Sequence, residues 1–460
     1  MNSSSTRFSG IVAALLCFAV PLNSSCECLV PVLSPAPAHL ISVDSVWTLT
    51  PDQVAQAHTQ LVEDQSGEMM GVDLDPPLNT DWANLAKTLL AEAVDCRKIT
   101  YWSRNADSQA IRLTGMLYLP RRLVPPPFPS RVSLIAYPHG TELLRDNVPS
   151  NNAGLEWIFG AAAALFGGYA VAMPDLPGMG GADPSLYHPY CHARSLAYSV
   201  VDMIQAVREA FEGDLCGQYW WDGHLYILGY SEGGYAAMAT VKELQVNAGQ
   251  YPGLNITASA CLAGPFDLTG AMRELMVDST QPFGSPFFLP YVILGYSSVY
   301  AGPFDPNQAL VAALLPDVLQ WMNGVSTPSS EVNTLIAQRL GFSESQLPAP
   351  RDMLNPAWVN QQLADNLYQT SQVGLILADN NLWSGWAPAR PMLLRHSPDD
   401  DRVPYANSEK AFMEFAKAGA IGNLTFLPIG KTGDGIGHIA GAIIGIPSAI
   451  IWFRGTCPAN

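Results

Sequence analysis

The chain has 460 residues, 48% of them hydrophobic and only 14% charged. That charged share is about half the usual quarter, and the apolar surplus excludes disorder for the body of the protein. A formal net charge of −17 repels phosphate backbones and excludes nucleic acid as a partner. The 38 glycines and 37 prolines follow no fixed period, which excludes collagen-like and solenoid architectures.

After Arg7, residues 11–22 are apolar throughout and lead into Asn23-Ser24-Ser25. A charged start, a short apolar run and a small polar exit predict a signal peptide over residues 1–25 and a secreted or periplasmic protein. Cys26 invites comparison with a lipidated cysteine, but Leu22 lies one position too far upstream, so soluble secretion is favoured over an anchor. Residues 26–96 read as an N-terminal tether and extension, with an extended proline-rich stretch at 30–38.

From about residue 97, β-branched apolar runs alternate with helical patterns, the rhythm of strand–helix–strand units and a mostly parallel sheet. Eight strands are predicted, near 98–103, 111–119, 131–137, 168–174, 224–229, 256–263, 391–396 and 423–428. Helices are predicted near 153–166, 193–211, 233–247, 405–418 and 438–452. The rhythm breaks between Gly264 and Arg390. This aromatic-rich stretch reads as a helical cap over 265–389, inserted between the sixth and seventh strands of a catalytic domain formed by 97–264 and 390–460. Residues 435–453 are uncharged and long enough to cross a bilayer, yet they hold His438, four glycines and Pro447, so a buried terminal helix is expected.

Eight cysteines in an exported chain predict disulfides without fixing their connectivity. Cys191 and Cys216 flank the helical segment 193–211, about 28 Å long at roughly 1.5 Å per residue, so they do not pair with each other. Cys261 lies in an apolar strand and reads as a buried thiol.

The chemistry concentrates in Gly229-Tyr-Ser-Glu-Gly-Gly234, a G-x-S-x-G turn set directly between a strand and a helix. Such a turn lifts the Ser231 hydroxyl above the sheet at a helix N-terminus, and small residues are needed where helix and strand nearly touch. A serine hydroxyl needs a general base, and the base needs a carboxylate to fix its tautomer. The expected chain order is Ser, acid, His. Downstream, Asp399, Asp400 and Asp401 follow a buried strand; Asp400 is the choice of acid, with Asp401 and then Asp399 behind it. The base is His438, in a glycine-flanked loop after the last strand; its competitor His396 precedes the acid. The oxyanion hole is expected from the backbone N–H groups of Glu232 and of Thr141, in Tyr137-Pro-His-Gly-Thr141 after the third strand. His139 reads as shaping that loop, and the His188 to His192 cluster lacks metal-ligand spacing.

Tyr137-Pro-His-Gly-Thr141, Pro174-Asp-Leu-Pro-Gly-Met-Gly180, His188-Pro-Tyr190, Gly229 to Gly234, Ala263-Gly-Pro-Phe-Asp267 and Asp400 to Pro404 together resemble the secretory lipase family of α/β hydrolases. The resemblance covers about residues 97–453 and departs at Glu232 and Ser397. It implies the α/β-hydrolase fold with helices on both faces of the sheet, hydrolysis of carboxylic esters, an acyl-binding cap and no cofactor. The substrate is then a small-molecule or lipid ester, met through transient contact with a lipid interface, with Phe283, Phe287, Phe288, Tyr291 and Trp321 of the cap as candidate acyl contacts. Two rival readings share the motif. The glycines and Tyr235 also resemble prolyl-oligopeptidase-type peptidases, although no propeller repeat is visible. The other rival is an extracellular binding protein on a retired hydrolase fold.

Overall fold

The computed structural model describes residues 38–64, 91–122, 129–300, 302–343 and 346–456. The expected signal peptide lies outside these residues, as does most of the proline-rich stretch. The described residues form one nine-stranded sheet in the order β1-β2-β3-β5-β4-β6-β7-β8-β9. The strands are β1 (Leu40–Leu49), β2 (Ala93–Arg104), β3 (Ala110–Arg121), β4 (Ser130–Ala136), β5 (Ala170–Pro174), β6 (Tyr219–Tyr230), β7 (Ile256–Leu262), β8 (Met392–His396) and β9 (Leu424–Pro428). Strands β4 to β9 run parallel, and β1 to β3 form an antiparallel edge.

Eight of these strands match the expected ones, and β1 is the addition. Its sequence, Leu-Ile-Ser-Val-Asp-Ser-Val-Trp-Thr-Leu, alternates only partly and stays half exposed, as an edge strand does. The chain from His39 is therefore not all tether: β1 pairs with β2, and α1 (Pro51–Asp64) follows it. The central strand β5 is an uninterrupted apolar run, and β7 departs from one only at Thr257 and Ser259, because both faces of the sheet are covered.

One face carries α3 (Ala193–Glu212), α4 (Glu232–Val246) and α10 (Ala406–Phe415); the other carries α1, α2 (Trp157–Gly167) and α11 (His438–Thr456). Between β7 and β8 lie α5 (Ala271–Val277), α6 (Phe288–Ser297), α7 (Ser329–Arg339), α8 (Pro356–Gln362), α9 (Gln372–Asp379) and shorter turns. Of the described helices, α11 is long and apolar enough to cross a membrane, with 61% of its apolar window buried inside the fold. Pro447 sits inside it. Cys96, Cys191 and Cys261 are free, buried thiols, so Cys191 and Cys216 are not joined.

The order around β4 positions the site. From β4 the chain crosses over α2 on one face to β5, then over α3 on the other face to β6, which lies on the opposite side of β4. Where successive crossovers part, the carboxyl ends of neighbouring strands leave a crevice. The loop after β4 and the turn after β6 both open into it.

Candidate active site

Ser231 stands between β6 and α4 with φ 58° and ψ −126°, a conformation that side-chain-bearing residues rarely adopt. The glycines explain how the chain tolerates it. A Cβ added at Gly229 would run into the Gly233 carbonyl, one at Gly233 into the Pro138 carbonyl, and one at Gly234 into the Leu262 carbonyl. The Ser231 N–H also donates to the Leu262 carbonyl, 2.9 Å away. The turn is thus clamped between the ends of β4 and β7.

The Ser231 Oγ lies 2.8 Å from His438 Nε2, and His438 Nδ1 lies 2.6 Å from Asp400 Oδ2. His438 is the first residue of α11, and its backbone N–H donates to Asp401 Oδ1 at 2.8 Å. Tyr230 donates its hydroxyl to the His438 carbonyl at 2.7 Å, tying that helix start to the end of β6. Asp400 accepts from the N–H groups of Arg402 and Val403 at 2.9 and 2.8 Å through its other oxygen. Its burial opposes ionisation, but the charge of His438 and hydrogen bonds from His396 and His438 hold the carboxyl well below the usual range. A buried carboxylate so held can fix the tautomer of His438, which in turn can accept the Ser231 proton.

The three neighbouring aspartates therefore sit in three different places. Asp399 is half-buried and accepts from the N–H groups of Gly433 and Gly435, which lowers its pKa. Asp401 caps α11, and only Asp400 of the three meets an imidazole side chain. His396 contacts Ser408, the Val403 carbonyl and Asp400 Oδ2, the oxygen that also meets His438. The ring nitrogens of His139 lie 2.7 and 3.1 Å from the carbonyls of Gly140 and Asp175.

Thr141 lies in the loop after β4, its hydroxyl 3.1 Å from that of Tyr190. The preceding Gly140 donates its N–H to Glu156 at 2.6 Å, and Glu156 also meets the Tyr137 hydroxyl at 2.5 Å. Burial pushes the Glu156 carboxyl up to about 8. The sequence reading passed over Glu156, whose only signal was an acidic residue just before an apolar helix. Glu232 is buried beside the nucleophile and lies 2.6 Å from His188 Nε2, while His188 Nδ1 is 2.8 Å from the Pro177 carbonyl. Burial works against a charge on His188, but Glu232 outweighs it and raises the pKa. These residues are 44 positions apart, too far for spacing to reveal the pair.

Two cavities meet at Ser231. The first, of about 740 Å³, is apolar and lined by Leu268, Met272, Leu275, Met276, Phe283, Phe288, Leu289 and Val292. The second, of about 660 Å³, is half polar and is lined by Gly140, Thr141, Glu142, Asn147, Phe287, Ser329 and His438. Phe283, Phe287 and Phe288 thus reach the site. Tyr291 and Trp321 do not line either cavity. The Tyr291 hydroxyl is tied to the Glu142 carbonyl and its ring stacks on Tyr190; Trp321 sits on a single-turn helix under Arg339. The sequence reading favoured aromatics and missed Met272, Leu275 and Met276, whose i, i+3, i+4 spacing on α5 puts them on one face.

A serine, histidine and aspartate joined at the carboxyl ends of a mostly parallel sheet belong to the α/β hydrolases. Residues 350–456 match the Secretory lipase family, which bears out the resemblance carried by the motifs. The matched residues hold the last two strands and the terminal helix, less than half of the chain.

Among solved structures, a candidate hydrolase from Legionella pneumophila superposes with a TM-score of 0.72 at 22% identity, over 91% of this chain and 98% of that one. The rice cell wall degrading esterase LipA from Xanthomonas oryzae gives 0.67 at 20%, over 92% and 98%. Candida antarctica lipase A in its closed state gives 0.59 at 15%, over 92% and 83%. At these identities the likeness establishes the fold. No curated protein matches the sequence.

Proposed function

We propose that the chain is an exported esterase or lipase that works through Ser231, His438 and Asp400 by way of an acyl-enzyme. The observation that carries this reading is the unbroken chain of contacts from Ser231 Oγ to His438 Nε2 and from His438 Nδ1 to Asp400. His438 takes the Ser231 proton as Oγ attacks the ester carbonyl, and the Thr141 and Glu232 N–H groups receive the oxyanion. The alcohol leaves with the proton from His438, and water then resolves the acyl-enzyme. The cap between β7 and β8 contributes the apolar cavity, where Met272, Met276, Phe283 and Phe288 surround the acyl chain. Exclusion of water there strengthens the dipoles that face the oxyanion. The apolar wall favours an acyl chain over a peptide, which places a peptidase second.

Ser231→Ala is the deciding variant. It should lose on the order of 10³-fold or more in kcat for p-nitrophenyl esters while keeping its melting temperature, because it removes only a small hydroxyl. Turnover near that of the unaltered protein would remove the mechanism.

A further inference from the structure

We infer that Glu156 is a positioning residue for the hydrolysis: its carboxyl holds the loop after β4 so that the Thr141 N–H faces the oxyanion. The inference rests on the Ser231 reading above and deepens it. Glu156 stands just ahead of α2 and is buried. Its Oε1 accepts the Gly140 N–H at 2.6 Å, and its Oε2 lies 2.5 Å from the Tyr137 hydroxyl. These hydrogen bonds go to the loop and not to Ser231 or His438, so the effect of Glu156 on the reaction passes through the loop.

The backbone carries the hold onward. The Gly140 carbonyl lies 2.7 Å from His139 Nδ1 while the Gly140 N–H is taken by Glu156, so both polar groups of this glycine are tied. The Gly140–Thr141 peptide is planar and trans, and its N–H points away from its carbonyl. With the carbonyl turned to His139, the direction of the Thr141 N–H is set. Glycine is required at 140 for the carboxyl to come this close, because a Cβ there would run into Glu156 Oε1.

The acid must be neutral to serve. Burial pushes the Glu156 carboxyl up to about 8 against the pull of its bonds from Tyr137 and Gly140, and Glu142 and Glu232 add to the push. A carboxylate there would set a negative charge beside the group that receives the oxyanion, and buried like charges repel strongly. Turnover should therefore fall as pH rises through about 8. Other titratable groups face Glu156 as well. Burial pushes the Tyr137 and Tyr230 phenols far up and the Glu142 carboxyl up to about 7. Glu232 is paired with His188, and His139, Arg402 and His438 line the same cavity as Glu156. A fall in turnover caused by any of these would persist after a change at position 156.

The test compares Glu156→Ala and Glu156→Gln on p-nitrophenyl octanoate from pH 6 to 10, with folding followed by melting temperature. At pH 7, Glu156→Ala should lose about tenfold or more in kcat with KM little changed, since the oxyanion forms only on the way to the transition state. The glutamine oxygen can accept the Gly140 N–H, so Glu156→Gln should recover most of that loss, and its kcat should no longer fall above pH 8. Octylboronic acid gives a second readout: the Ser231 oxygen bonds to boron, its proton passes to His438, and boron becomes a tetrahedral anion that mimics the oxyanion. Its affinity should fall with kcat in Glu156→Ala, while that of octanoic acid stays in place. A purely structural role would lower the melting temperature and leave the ratio of the two affinities as it was. The inference is overturned by an alkaline profile of Glu156→Gln that matches the unaltered protein, or by a Glu156→Ala variant with unaltered kcat and boronic acid affinity. If Glu156→Ala does not fold, the alkaline profile of Glu156→Gln decides. Hydrolysis that survives Ser231→Ala would instead refute the catalytic reading.

Discussion

At the scale of single residues, the proposed mechanism gives the three adjacent aspartates different roles, one in catalysis and another in stability. Asp400→Asn should lower kcat by on the order of 10⁴-fold, because an amide cannot hold His438 in the tautomer that accepts the serine proton. Asp401→Asn removes a charged acceptor from the start of α11, and its effect should appear mainly as about 1 kcal/mol of stability in denaturant melts. Comparable mild losses of activity from both would relocate the acid. What was legible in the sequence is the spacing of Asp400 before Val403-Pro404, and Asp400 is the aspartate of the three whose side chain meets the His438 ring. The roles of its neighbours were not legible, since they depend on Gly433, Gly435 and His438 returning to the same loop.

The His188–Glu232 pair supplies a pH dependence with a definite sign. The folded pKa of His188 lies above its unfolded value, so the pair contributes stability below about pH 6.5 and loses it as pH rises through the folded value. Glu232→Gln should remove that part of the pH dependence, seen as a flatter melting temperature from pH 6 to 8. An undiminished slope in the variant would assign the dependence to other groups.

Among the secondary-structure elements, the cap was visible in the sequence as a break in strand rhythm, but the face it turns to Ser231 was not. Aromatic content pointed to Tyr291 and Trp321, whereas packing sends Tyr291 to the Glu142 carbonyl and leaves Trp321 under a guanidinium. Phe283→Ala and Phe288→Ala should therefore shift the preference among acetate, octanoate and palmitate esters, while Trp321→Ala leaves that profile in place. Loss of several degrees of melting temperature with an unaltered profile in the first two would make them core residues of the cap. The missed strand β1 has a comparable cause. An edge strand buries one side only, and the exposed Ile41 and Val46 blur its alternation.

For the whole molecule, a charge of −17 opposes the proposed contact with a lipid interface where that surface is anionic. Long-range repulsion from anionic vesicles is screened over roughly 10 Å at 0.1 M salt. Hydrolysis of esters presented in phosphatidylglycerol vesicles should accordingly rise as sodium chloride is raised to about 0.2 M, whereas a soluble acetate ester should show little change. Equal salt responses for the two substrates would remove the surface as the cause.

Ser231 opens a helix on one face of the sheet and His438 opens a helix on the other, 207 residues later. The proposed active centre is thus assembled from helices of both faces and late along the chain. On the proposed mechanism, a growing polypeptide completes β6 and the serine turn long before its base exists, so shorter chains should be catalytically silent. During refolding, closure of so long a loop should leave recovery of hydrolysis behind recovery of helical signal. Activity then serves as a clock for the last step of assembly, when α11 seats on the sheet and delivers its first residue to the serine.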